Sequence, residues 1–216
     1  MTSRTSNYFK IVIFTTLCLL VIQFSCNKQV KWQNYDELEV VRTSRDSSYY
    51  FNGKLHEGLI KKLDENGQVF VKFSTKKGKL NGNYTKFYVS GNYHTKANYL
   101  NGELHGEFKT FFDNNILKEK IQYTKGLING KRILYWQNGS IKESSILRSG
   151  VLTGECLFYY SNSNLRKKIS FNEFGNRQGE WIDFFSNGNI KQKVIYSNGN
   201  ILDPILKYDI NGNPIK

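Results

Sequence analysis

The 216-residue chain carries 31 Lys and Arg against 18 Asp and Glu, a formal net charge of +13, with 15% aromatic residues and only two prolines. Such a charge attracts anions in general and points to no particular one. Three cysteines exclude a multi-bridge disulfide scaffold, and the Tyr-, Phe- and Gly-rich composition favours short strands joined by tight turns.

Residues 1–10 contain Arg4 and Lys10 and no acid, and Ile11 to Ser25 is uncharged and mostly apolar. A basic start, an apolar run and a small residue at its end predict a secretory signal over 1–25; the run is shorter than the roughly 20 residues a membrane-spanning helix needs. The run ends in Gln23-Phe24-Ser25-Cys26-Asn27. This stretch resembles the lipobox of bacterial lipoproteins, with Gln23 in place of the usual Leu, a departure that Bacteroidetes-type lipoproteins tolerate. The resemblance implies lipidation of Cys26 and an envelope protein anchored on the periplasmic side of the inner or outer membrane. Without lipidation at Cys26 the protein would be secreted.

Residues 26–52, with Trp32 and Tyr49-Tyr50-Phe51, read as a linker and an N-terminal cap. Over 53–199 the chain repeats itself. Gly58, Gly82, Gly106, Gly130, Gly154 and Gly179 recur at steps of 24, 24, 24, 24 and 25. From Gly82 onward another glycine stands four residues earlier: Gly78, Gly102, Gly126, Gly150 and Gly175. Counting from each repeat glycine as position 0, a turn residue returns at position 9, as Gly67, Gly91, Asn115, Gly139 and Gly188. In the fifth unit the turn residue is expected one place later, at Asn164, which would account for that unit's extra residue.

Between the turns, aromatic pairs close the first half of five units: Phe87-Tyr88, Phe111-Phe112, Tyr135-Trp136, Tyr159-Tyr160 and Phe184-Phe185. Positions 11 and 17 carry apolar or aromatic side chains, such as Leu117 and Tyr123, and their shared parity puts them on one face of a strand. Each half-repeat therefore predicts a strand of about six residues closed by an Asn-Gly or Gly-containing turn. The expected fold is all-β: an elongated antiparallel sheet of six stacked hairpins of about 24 residues. One hairpin cannot bury its own aromatic face, so each leans on its neighbours. Residues 200–216, with Pro204 and Pro214, are expected to form the C-terminal cap.

The copy Gly175-Asn-Arg-Gln-Gly179-Glu-Trp181-Ile-Asp-Phe184-Phe185-Ser-Asn-Gly188 resembles the variant MORN repeat. That resemblance implies a repeat protein working through interaction. Such repeats occur in bacterial envelope proteins and in proteins described as YwqK-type antitoxins, so a second reading is an immunity-like factor that neutralises a toxin.

Basic residues recur in the second half-repeats at positions 12 and 14: His94 and Lys96, Lys118 and Lys120, Arg166 and Lys168, Lys191 and Lys193, with Lys142 alone in the fourth unit and Lys72 in the first. Their parity is opposite to that of the apolar positions, which predicts one positive stripe on the other sheet face, diluted by Glu119, Glu143 and Asp183. The expected partner is a protein or an anionic membrane or glycan surface. Nothing calls for nucleic acid, a small-molecule substrate, a cofactor or a metal: paired-Cys zinc spacing, His-Glu-x-x-His, a nucleophile elbow and a phosphate loop are all missing. Cys156 reads as a small apolar strand residue, and His56 and His105 as turn or strand-edge residues beside the repeat glycines.

Overall fold

The computed structural model describes residues 32–42 and 47–215; the expected signal at 1–25 and the expected lipidation site Cys26 lie outside the described residues. The chain enters through β1 (Trp32–Asn34), a short 3-10 turn, β2 (Glu39–Arg42), β3 (Ser47–Phe51) and β4 (Lys54–Leu55). Six hairpins come next: β5 (Gly58–Leu63) with β6 (Val69–Lys76), β7 (Lys79–Phe87) with β8 (Tyr93–Leu100), and β9 (Glu103–Phe111) with β10 (Leu117–Thr124). The remaining three are β11 (Leu127–Tyr135) with β12 (Ile141–Arg148), β13 (Val151–Tyr159) with β14 (Leu165–Phe171), and β15 (Gly179–Phe184) with β16 (Ile190–Ser197). β17 (Asn200–Ile201), β18 (Leu206–Tyr208) and β19 (Pro214–Ile215) end the chain.

The hairpins pair in chain order within one 16-stranded sheet, and β2, β3 and β4 form a separate three-stranded one. Pairing in the long sheet is antiparallel except at its first edge, where β1 lies parallel to β5 with Trp32 opposite Leu59. Two kinds of turn alternate along the sheet. At one end, two-residue turns put both residues at positive φ, as at Asn101 (53°) and Gly102 (92°). This twist matches that of the flanking strands. At the other end, a turn such as Tyr88–Asn92 closes through Tyr88 N–H to Asn92 O and Gly91 N–H to Tyr88 O.

The repeat glycine has a different duty from the turn expected of it. The first strands run for up to nine residues, through the glycine. In the β10–β11 pairing, Ile121 faces Arg132 while Tyr123 faces Ile128, so β11 holds two extra residues around Gly130. Gly130 sits at φ 129°, and a Cβ there would meet Gln122 Cβ at 3.0 Å. The glycine is kept by a bulge inside a strand.

The fifth unit also differs from expectation. Ser163, nine residues after Gly154, takes the left-handed position at φ 70°, so this turn has the usual length. The extra residue lies in the Asn172–Asn176 turn, closed by Asn172 N–H to Asn176 O at 2.9 Å. There β14 and β15 share only the pairs Lys167–Asp183 and Lys168–Ile182 within the strands.

Buried side chains follow one face of the sheet: Ile60, Phe73, Ala97, Ile121, Leu147, Ile169 and Val194, with Tyr196 beside them. Each buried Ile, Leu or Val contributes about 1.5–3 kcal/mol. At the start of the sheet this face is covered by the three-stranded sheet, where Tyr49 meets Phe73 with ring centroids 5.2 Å apart. His56 sits in this junction, its Nδ1 2.7 Å from Thr75 Oγ1. Farther along, cross-strand rings pack over the buried row, as in Tyr84–Tyr99, Phe108–Tyr123 and Trp181–Tyr196. At the far edge Asp203-Pro204 interrupts the chain between β17 and β18, and Asp209–Asn213 closes β18 onto β19 with the same turn as the repeats.

Candidate functional site

A second bulge decides where the basic residues point. In the β9–β10 pairing, Leu117 faces Phe111 but Glu119 already faces Thr110. Lys118 and Glu119 thus stand together opposite one residue, and the alternation of faces is reset between them. Ring contacts show the outcome. Position 12 shares a face with position 4: Lys86 lies over Phe70 at 5.1 Å and Arg166 over Phe158 at 5.7 Å. Position 14 shares the opposite face with position 5: Lys72 lies over Phe87 at 5.5 Å, and Lys96 over Phe111 at 5.8 Å. The single stripe expected at positions 12 and 14 is therefore two rows on opposite faces, and position 11 parts from position 17 in the same way.

The position-14 row is mostly neutralised. Lys120 pairs with Glu107, which also holds Lys109 at 2.6 Å. Lys168 pairs with Glu155 and Lys193 with Glu180, each at 2.5 Å. Hydrogen bonds from Lys109 and Lys120 pull the Glu107 carboxyl below its ordinary pKa, and the Glu155 bond raises that of Lys168. Lys96 is set apart: its ammonium rests 3.3 Å from the centre of the Tyr93 ring.

The position-12 row keeps its charge. Lys118, Lys142, Arg166 and Lys191 are exposed, and none forms an ion pair among the described residues. Three lie on the ring at position 6 of their own unit: Lys118 on Phe112 at 5.7 Å, Lys142 on Trp136 at 4.5 Å and Lys191 on Phe185 at 5.8 Å. A cation held over a ring face keeps its outward side for another anion. Successive members are two strands, or about 10 Å, apart, close to the Debye length of about 8 Å at physiological salt. The row thus sums to one field. His94 continues it beside Tyr88, and its pKa is lowered by burial and then by the charges of Lys86 and Lys118.

Where the ring at position 6 carries a donor, it is fixed by a bond to the next repeat. Tyr88 O–H donates to Phe111 O at 2.8 Å, Trp136 Nε1–H to Tyr159 O at 3.2 Å and Tyr160 O–H to Phe184 O at 2.8 Å. Beyond them the turns form a ladder. Asn138 donates to Ser161 O, Asn164 to Ser186 O, and both Asn187 and Asn189 to Ile210 O. The recurring Asn at position 8 was visible in the sequence as a turn residue; its bond to the next repeat was not.

The acids expected to dilute the stripe are occupied elsewhere. Glu119 and Glu143 both bind Arg132, at 3.2 and 3.0 Å, and Asp183 pairs with Lys167 at 3.0 Å and accepts from Gln192 at 2.7 Å. Arg132 occupies position 2, where the second, third and sixth units place Tyr84, Phe108 and Trp181 and the fifth places Cys156. Beside this triad lie the fully buried Ser145 and Cys156, 2% exposed. Burial, then the Glu143 charge, pushes the Cys156 thiol up to about 11. It stays protonated and shielded, which is the opposite of an activated nucleophile. The described residues contain no group of three or more His, Cys, Asp or Glu able to hold a metal ion. His105 is exposed, and His56 is a buried packing residue.

Bulged hairpins in one ordered sheet, cross-linked ring to carbonyl at three of the steps between them, define a β-hairpin repeat protein with two chemically different faces. The family model described as the MORN repeat variant matches residues 104–125, 152–173 and 177–200, the third, fifth and sixth hairpins. Over those residues the chain carries repeats of that family, which is generally a non-catalytic repeat type often involved in binding. No curated protein matches it.

Proposed function

We propose that this is a non-enzymatic, lipid-anchored envelope protein that holds an anionic macromolecular partner against its position-12 row. One observation carries the reading: Lys118, Lys142, Arg166 and Lys191 are exposed and supported on rings, and they are without carboxylate partners among the described residues. A row of this spacing suits an extended anionic surface, such as a bilayer rich in acidic headgroups or an acidic protein, better than a single ion. The anchor rests on the sequence Ser25-Cys26 after an apolar run. Lipidation there would keep the sheet close to a membrane and raise the local concentration of such a partner.

Two experiments test it separately. Labelling with a palmitate analogue should mark the wild-type protein and spare Cys26→Ala; an unlabelled wild type overturns the anchor. Crosslinking in envelope extract should lose its partner when Lys118, Lys142, Arg166 and Lys191 become Glu. Retention of every crosslink by that variant overturns the row as the binding surface, and recovery of a toxin would shift the reading to an immunity factor.

A further inference from the structure

The position-14 row is broken at its beginning in a way the repeat itself makes visible. In the third, fifth and sixth units, position 1 is Glu107, Glu155 or Glu180, and each acid binds the lysine at position 14. The fourth unit has Lys131 at position 1 and Ser144 at position 14, so it places no cation there. The first two units keep the lysine and lose the acid: position 1 is Leu59 in the unit of Lys72 and Asn83 in the unit of Lys96. Neither lysine has an ion pair among the described residues. Over these two units lies a cavity of about 600 Å³, lined by Lys72, Lys96, Asn83, Asn98, Tyr93 and Trp32; the lysine-paired Glu107 and Lys109 also stand on its wall.

That volume lies within the roughly 300–1,000 Å³ of small-ligand sites. Lys72 and Lys96 are in successive units, two strands or about 10 Å apart, a spacing that favours two separated charges over one compact anion. Asn83 and Asn98 present amides, which both donate and accept and so suit hydroxyl groups. Trp32, at the sheet edge and 37% exposed, offers an indole face whose negative charge suits the C–H face of a pyranose ring. Lys96 is held in place from below by Tyr93. We infer that this cavity binds an acidic oligosaccharide, with carboxylates on Lys72 and Lys96, hydroxyls on the asparagine amides and a sugar ring against Trp32. The site is on the face opposite the position-12 row and does not depend on the function proposed for that row.

Calorimetric titration of the full chain in detergent with trigalacturonate tests it. Binding is expected for the wild type, with a loss of about tenfold or more in Lys72→Gln and Lys96→Gln, the size of one charged hydrogen bond. Asn83→Glu supplies the acid that other units carry; it should pair Lys96 and abolish binding while leaving the fold intact. Lys168→Gln, outside the cavity, should bind as wild type. Absence of trigalacturonate binding overturns the inference, as does equal binding of neutral maltotriose, displacement by inorganic phosphate, or full binding by Asn83→Glu. Every variant keeps Lys118, Lys142, Arg166 and Lys191, so failure here leaves the other proposal standing.

Discussion

Lys118 and Lys120 are two residues apart in β10 and lie on opposite faces of the sheet. Lys118 rests on the Phe112 ring, whereas Lys120 is tied to Glu107. Their substitutions should therefore read differently. Lys118→Gln should change stability by less than about 0.5 kcal/mol. Lys120→Gln should cost about 0.2–1 kcal/mol, the range for an exposed ion pair, and that cost should shrink in high salt. Urea unfolding at low and high salt measures both.

Arg132 holds two carboxylates on a half-buried face, so removing it should hurt more than removing the whole group. Arg132→Phe restores the ring of other repeats but leaves Glu119 and Glu143 without their counter-charge. A loss of about 2–4 kcal/mol is expected, below or near that of a fully buried pair. The triple variant Arg132→Phe, Glu119→Val, Glu143→Val should recover most of it. Thermal unfolding of the single and triple variants checks this; equal Tm losses would contradict it.

The repeat glycines should not tolerate alanine equally. Gly130 combines φ 129° with a Gln122 contact of 3.0 Å for an added Cβ, whereas Gly154 has φ 68° and nothing within 4 Å. Gly154→Ala should cost about 1–2 kcal/mol, the left-handed penalty alone, and Gly130→Ala about 3 kcal/mol. Denaturant midpoints give the order directly.

His56 should give stability a pH dependence. Burial lowers its pKa below the ordinary 6.5, so the unfolded chain binds a proton that the folded chain resists. The stability it contributes is fully present above about 6.5, is lost as pH falls through the interval down to the folded pKa, and changes no further below it. Unfolding free energies measured on either side of that interval should show the slope in wild type and lack it in His56→Gln.

Much of this architecture was legible because side-chain chemistry repeats: the glycine period, Asn-Gly turns and aromatic pairs all predicted stacked hairpins. The bulges were not legible. At Lys118-Glu119 the reset occurs in the backbone, between two polar residues whose order is equally compatible with plain alternation. Parity then assigned Lys118 and Lys120 to one face. The Arg132 triad was hidden for a related reason, since Glu119 and Glu143 meet Arg132 only through strand register. The cavity depended on Trp32 reaching the first repeat through a parallel pairing that hairpin logic does not supply.

Retention on an immobilised polyanion such as dextran sulfate tests most directly whether usable charge lies on the position-12 row. The comparison sets Lys118, Lys142, Arg166 and Lys191, all changed to Gln, against Lys120, Lys168 and Lys193, all changed to Gln. The first variant should elute at much lower salt than wild type and the second near it, because its lysines are already bound to Glu107, Glu155 and Glu180. Equal elution shifts per charge removed would contradict the account.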